Sequence, residues 1–76
     1  MKREKTVNFY YGFLRDKITE KCGTQEVLAK RLGISKQSLS NKLNNKTMFT
    51  HDEMYRLSVI LQLDSNEVER CFFIAR

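Results

Sequence analysis

Proline is absent from this 76-residue chain, and glycine occurs only three times. No stretch alternates apolar and polar residues with a period of two. These absences argue against a sheet with its turns and for an all-α domain of short helices. Cysteine is scarce too: Cys22 and Cys71 stand far apart, with the single histidine, His51, between them. With no Cys-x-x-Cys pair and no histidine cluster, a structural zinc site is excluded. Both cysteines read as small apolar residues of a reducing cytoplasm. No apolar run reaches membrane-spanning length, and "MKREKTVNFYYGFL" contains no h-region of a signal peptide, so a soluble intracellular protein is expected. No nucleophile with a base, no paired carboxylates and no phosphate-cradling glycine loop can be assembled from these residues. The expectation is a protein that is not an enzyme and takes no cofactor, metal or small-molecule ligand.

What is present is a small core and an uneven charge. Residues 1–76 make one domain, near the lower size limit for an independent core, and 41% of them are hydrophobic. The net charge of +5 is concentrated early in the chain. Between residues 24 and 47, Lys30, Arg31, Lys36, Lys42 and Lys46 are opposed by Glu26 alone, whereas residues 50–76 are acidic on balance. A basic half and an acidic half point to one face for a polyanion and another for a different partner.

Five helices can be placed. From about Val7 to Lys21, apolar residues Val7, Tyr10, Tyr11, Phe13, Leu14 and Ile18 recur at helical spacing. Gly23 stops that helix, and Thr24 caps a second over Gln25 to Leu32, which Gly33 ends. Ser35 caps a third helix running to about Asn44, with Ile34 and Leu39 at hydrophobic-staple spacing. "NNKT" follows as a polar loop in which asparagine tolerates left-handed backbone. Thr50 with Glu53, and Asp64 with Glu67, have the spacing of capping boxes that open helices four and five. Helix four then carries Met54, Leu57, Ser58 and Leu61 on one face.

The third helix has an unusual outside. At 100° per residue, Leu39 and Leu43 point inward, while Lys36, Gln37, Ser40, Asn41 and Asn44 share an outer arc of about 140°. That arc holds amides, a hydroxyl and a lysine, but no acid. An Asn or Gln amide can pair bidentately with adenine, and lysine can reach guanine, so this is chemistry suited to a major groove. The start of helix two, with Thr24 and Gln25, offers backbone N–H groups to a phosphate. Lys42, Asn45, Lys46 and Thr47 flank the other side as further candidates for phosphate contact, with a plain solvated face as the alternative for Lys42 and Lys46.

"TQEVLAKRLGISKQSLSNKLNNKT" resembles the helix-turn-helix of the lambda-repressor-like superfamily, which includes phage repressors and Cro proteins. Gln25, Ala29 and Gly33 match, as do the apolar residues Leu28, Leu32, Ile34 and Leu39. The resemblance covers essentially the whole chain and implies a double-stranded DNA operator as partner, in the cytoplasm of a bacterial host. It places Lys36, Gln37 and Asn41 against bases, Gln25, Ser40 and Lys46 against phosphates, and Ser38 against either. One departure is Lys42, where the family carries an apolar residue. The size is nearest to small Cro-like or repression-modulating proteins of phages and prophages.

Two features leave room for other readings. "CFFIAR" sets three large apolar residues in a row, so either the last helix ends and the chain folds back, or this surface meets a partner. Since Cro-like proteins often pair through this end, Val68, Phe72 and Ile74 are the expected homodimer contacts. The acidic second half and apolar tail also fit a protein that binds a phage repressor and modulates repression. The aromatic cluster Phe9, Tyr10, Tyr11 and Phe13 is read chiefly as core rather than as a stacking platform.

Overall fold

In the computed structural model, which describes residues 8–75, four of the five helices begin where a side-chain oxygen takes up an exposed backbone N–H. The helices are α1 (Gly12–Cys22), α2 (Gln25–Leu32), α3 (Lys36–Leu43), α4 (His51–Ile60) and α5 (Ser65–Phe72). Thr24 Oγ1 accepts from Val27 N at 3.2 Å, and Ser35 Oγ accepts from Ser38 N at 3.0 Å. Thr50 and Asp64 form complete capping boxes: each accepts from the N–H of the glutamate three residues on, whose carboxylate accepts the cap's own N–H. Each such cap stabilises its helix by about 1 kcal/mol.

The turn between α2 and α3 is built by Gly33. Its φ of 83° is left-handed, and its N–H and that of Ile34 both donate to Ala29 O. This wraps the end of α2 and redirects the chain within three residues, so that α2 and α3 pack against each other.

Every helix contributes to one core. Leu14 and Ile18 of α1, Leu28, Ala29 and Leu32 of α2, Leu39 and Leu43 of α3, Leu57 of α4, and Cys71 and Phe72 of α5 are buried, with Leu61 just after α4. Burial of a leucine or phenylalanine of this kind stabilises the fold by about 1.5–3 kcal/mol. Tyr11 and Phe49 join them from the connecting segments, and Phe49 stands edge-on to both Tyr11 and Phe72 at 5.5 Å between ring centres.

The two ends of the described chain differ from a simple helical reading. α1 begins at Gly12, not near residue 7; Val7 itself lies outside the described residues. Phe9 and Tyr10 are extended because other partners take their backbone groups. Asn45 Oδ1 accepts Phe9 N at 2.9 Å, Asn45 Nδ2 donates to Phe9 O at 3.0 Å, and Tyr10 N donates to Ile74 O at 2.8 Å. The Tyr10 ring also lies over Gly12, where a methyl group would overlap it. At the other end, α5 stops at Phe72 and the chain folds back, pairing Ala75 with Phe9 in a single antiparallel bridge. The run "CFFIAR" is therefore divided between core and return. Phe72 is 3% exposed, so it is a core residue and not the interface contact expected of it. Val68 is half-buried against the same core, and Ile74 stays 42% exposed.

Among the aromatic residues, Tyr11 is buried, Phe9 and Phe13 are partly buried, and Tyr10 is exposed. No helix among the described residues is long and apolar enough to cross a membrane.

Candidate functional site

The outer face of α3 is presented by the turn at Gly33 and held in place by Leu39 and Leu43 beneath it. Lys36, Gln37 and Asn44 are exposed, and Ser38, Ser40 and Asn41 are partly so. The structure therefore brings together the residues expected to face a groove. Thr24 and Gln25 stand at the start of α2, where the Thr24 hydroxyl is occupied as the helix cap. Lys46 and Thr47 are exposed just beyond α3, with their N–H groups turned back to Asn41 O at 2.8 and 3.4 Å.

The amides on this face bond to one another. Gln37 Nε2 donates to Asn41 Oδ1 at 3.0 Å, and Asn44 Nδ2 donates to Ser40 Oγ at 3.3 Å. Arg15 of α1 reaches across to donate to Asn44 Oδ1 at 3.2 Å and to Leu43 O at 3.3 Å. Gln37 retains its carbonyl oxygen and Asn41 its amino group as outward hydrogen-bonding groups. α3 has no acid in its first turn.

Two residues expected to contact phosphate are occupied elsewhere. Lys42 is only 8% exposed; its ammonium lies 3.2 Å from Glu53 Oε1 and donates to Met48 O at 3.2 Å. It locks the end of α3 to the start of α4: position 42 lies about 60° from Leu39 around the helix, so its stem is buried while its ammonium reaches Glu53. Burial would raise the Glu53 carboxyl. The hydrogen bond from Thr50 N, together with the hydrogen bond and charge of Lys42, outweighs that and holds it below its ordinary value. Asn45 is the second correction: φ is 63°, and both ends of its side chain are bound to the backbone of Phe9. Its amide closes the chain and is not free for a ligand.

A second exposed surface went unmarked in the sequence pattern. Tyr55 and Val59 of α4 are 69% and 59% exposed. They lie across the helix from Leu57 and Leu61 and beside Arg31 at the end of α2. The signal was available: two apolar residues four apart, each two residues away from a core leucine.

Two comparisons relate this geometry to other proteins. A solved structure with the same arrangement is the solution structure of the modulator of repression (MOR) of the temperate bacteriophage TP901-1 from Lactococcus lactis. It is 38% identical, with a TM-score of 0.75, over 87% of this chain and 89% of that one. No curated protein matches the sequence. The model of a family described as a protein of unknown function, DUF739, matches residues 7–75. A match of that extent takes in all five helices, and the chain belongs to the DUF739 family.

Proposed function

We propose that this chain modulates phage repression by binding a repressor protein, in the cytoplasm of a bacterial host. The observation that carries this reading is the likeness, in sequence and fold over most of both chains, to a phage modulator of repression. The state of the α3 face supports it. Of the residues suited to contacting DNA, Lys42 is spent on Glu53, Asn45 on Phe9, and the Gln37 and Asn41 amides partly on each other. Lys36 and Lys46 remain as lysines there. Affinity for duplex DNA grows with the number of phosphates neutralised, and so few cations favour weak binding by the chain alone.

A second reading keeps the lambda-repressor-like function: a homodimer holding an operator with α3 in the major groove, its half-sites roughly 34 Å apart. The observation in its favour is that the acid-free face of α3 still offers Lys36, Gln37 and Asn41 outward, with Ser38, Ser40, Thr24, Gln25, Lys46 and Thr47 around them. Val68 and Ile74 remain for contact between protomers.

Footprinting separates the two. The repressor of the phage genome that encodes the chain is placed on its operator at near-physiological salt, with and without the chain. Modulation predicts that the chain changes the repressor's protection while leaving no footprint by itself at low micromolar concentration. A sequence-specific footprint from the chain alone would make the operator-binding reading the correct one.

A further inference from the structure

The outward face of α4 is apolar where solvent should select polar groups. Leu57 and Leu61 fill the core, so Tyr55 and Val59, two positions away and about 160° around the helix, face out. α2 packs beside α4 and adds Val27, which is exposed, and Arg31 four residues on. Arg31, Tyr55, Arg56, Val59 and Ile60 line a groove of about 410 Å³, and no residue of α3 enters it. Single exposed apolar residues need no explanation, but a contiguous set rimmed by charge is the usual form of a docking surface.

The charges at the rim select the occupant. Arg56 is already engaged: its Nε lies 3.2 Å from Asp52 Oδ2, and its Nη1 donates to Leu32 O at 3.2 Å. Arg31, whose Nη1 lies 4.0 Å from Cys22 Sγ, keeps its guanidinium available for a carboxylate. A nucleic acid fits poorly, because Arg56 is spent on Asp52 and Leu32, and Arg31 alone among the lining residues is left to neutralise phosphates. A second copy fits poorly as well, because the acidic helix α5 spends Cys71 and Phe72 on its own core.

The geometry points to the α2–α4 groove as the docking site for an amphipathic helix of the repressor, with apolar residues at three- and four-residue spacing and a carboxylate that meets Arg31. This rests on the modulator reading and names the surface through which it acts. Apolar anchors seated in a groove with a charged rim are a recurrent mode of helix recognition.

The test is calorimetric titration of the purified repressor, without DNA, into the wild-type chain and into Val59→Asp, Tyr55→Ala and Arg31→Glu. All three side chains are exposed, so circular dichroism and thermal melting should match wild type and certify folding. The expected result is at least tenfold weaker binding for Val59→Asp and Arg31→Glu, severalfold for Tyr55→Ala, and loss of salt sensitivity for Arg31→Glu. Wild-type affinity in the folded variants would overturn the docking site while leaving the modulator reading intact. Absence of any binding by the wild-type chain would overturn both. If Val59→Asp instead converted a dimer of the chain to a monomer in sedimentation with repressor affinity unchanged, the groove would be a self-interface and the proposal wrong.

Discussion

Lys42 sits at the end of a helix that also carries the candidate ligand face, yet its ammonium is turned into the protein. Replacing it with methionine keeps the aliphatic stem and removes the charge. Breaking a buried ion pair from one side costs about 3–5 kcal/mol when the remaining charge has no other partner. Glu53 does have another: it keeps the hydrogen bond from Thr50 N at 2.9 Å, and its side chain is 16% exposed. The loss for Lys42→Met should therefore lie at or below the lower end, about 2–3 kcal/mol. For a domain of this size that lowers the melting temperature by roughly 8–24 °C. In Lys42→Met/Glu53→Gln the amide oxygen still accepts from Thr50 but no charge is stranded, so most of the loss should return. Urea denaturation followed by circular dichroism measures both. A single variant within about 0.5 kcal/mol of wild type, the span of an ordinary surface substitution, would refute the structural role. Weakened DNA binding at unchanged stability would return Lys42 to the ligand face.

Three further outcomes are expected. Asn45→Ala removes two hydrogen bonds to Phe9 and leaves φ 63° without the polar side chain that makes left-handed backbone tolerable for asparagine, a loss of about 3 kcal/mol in urea denaturation; Asn45→Gly should recover only the backbone part, about 1 kcal/mol. Glu67 is held low by the hydrogen bonds from Asp64 N and Lys17, and Glu53 by Thr50 and Lys42 despite its burial. The unfolded chain therefore binds protons at these sites more readily than the folded one. Their stabilisation is complete above the ordinary value of 4.5 and disappears as pH falls from there through the lower folded values. Melting temperatures should drop between about pH 5 and pH 3, less steeply in Glu53→Gln; a drop equally steep in that variant would contradict the assignment. Burial pushes the Cys71 thiol up to about 11, so iodoacetamide at pH 8 should label Cys22 in the native protein and Cys71 only on unfolding. Equal labelling rates by mass spectrometry would show that the core opens locally.

The parts of this fold that were legible in the sequence are the ones that local chemistry decides. Thr24, Ser35, Thr50 and Asp64 cap helices because an oxygen at that position reaches an N–H three residues on, whatever the rest of the chain does. The leucines of α2 and α3 lie inward because their spacing leaves no other shared face. Lys42 and Asn45 were misassigned because their roles depend on partners far along the chain or across a turn: Glu53 for one, Phe9 for the other. The same holds for the start of α1, where helical periodicity through Tyr10 gave way to hydrogen bonds with Asn45 and Ile74. Phe72 could not be told from Ile74 by spacing alone, since only the fold-back after α5 separates core from surface. The polar face of α3 was legible as a surface, but not the pairing of its amides.

That pairing bears on function. The bond between Gln37 and Asn41 fixes the orientation of both amides and leaves each with part of its hydrogen-bonding capacity, so a base must be read with the groups that remain. A protein partner docked beside α4 would leave that pairing undisturbed.

The modulator function proposed above requires that the chain bind a repressor directly. Titrating the chain with the purified repressor encoded beside it, in the absence of DNA, answers that in one experiment. A saturable complex should form without DNA. No complex with the repressor, together with an enriched two-fold motif when the chain alone is offered a random duplex library, would contradict the modulator function.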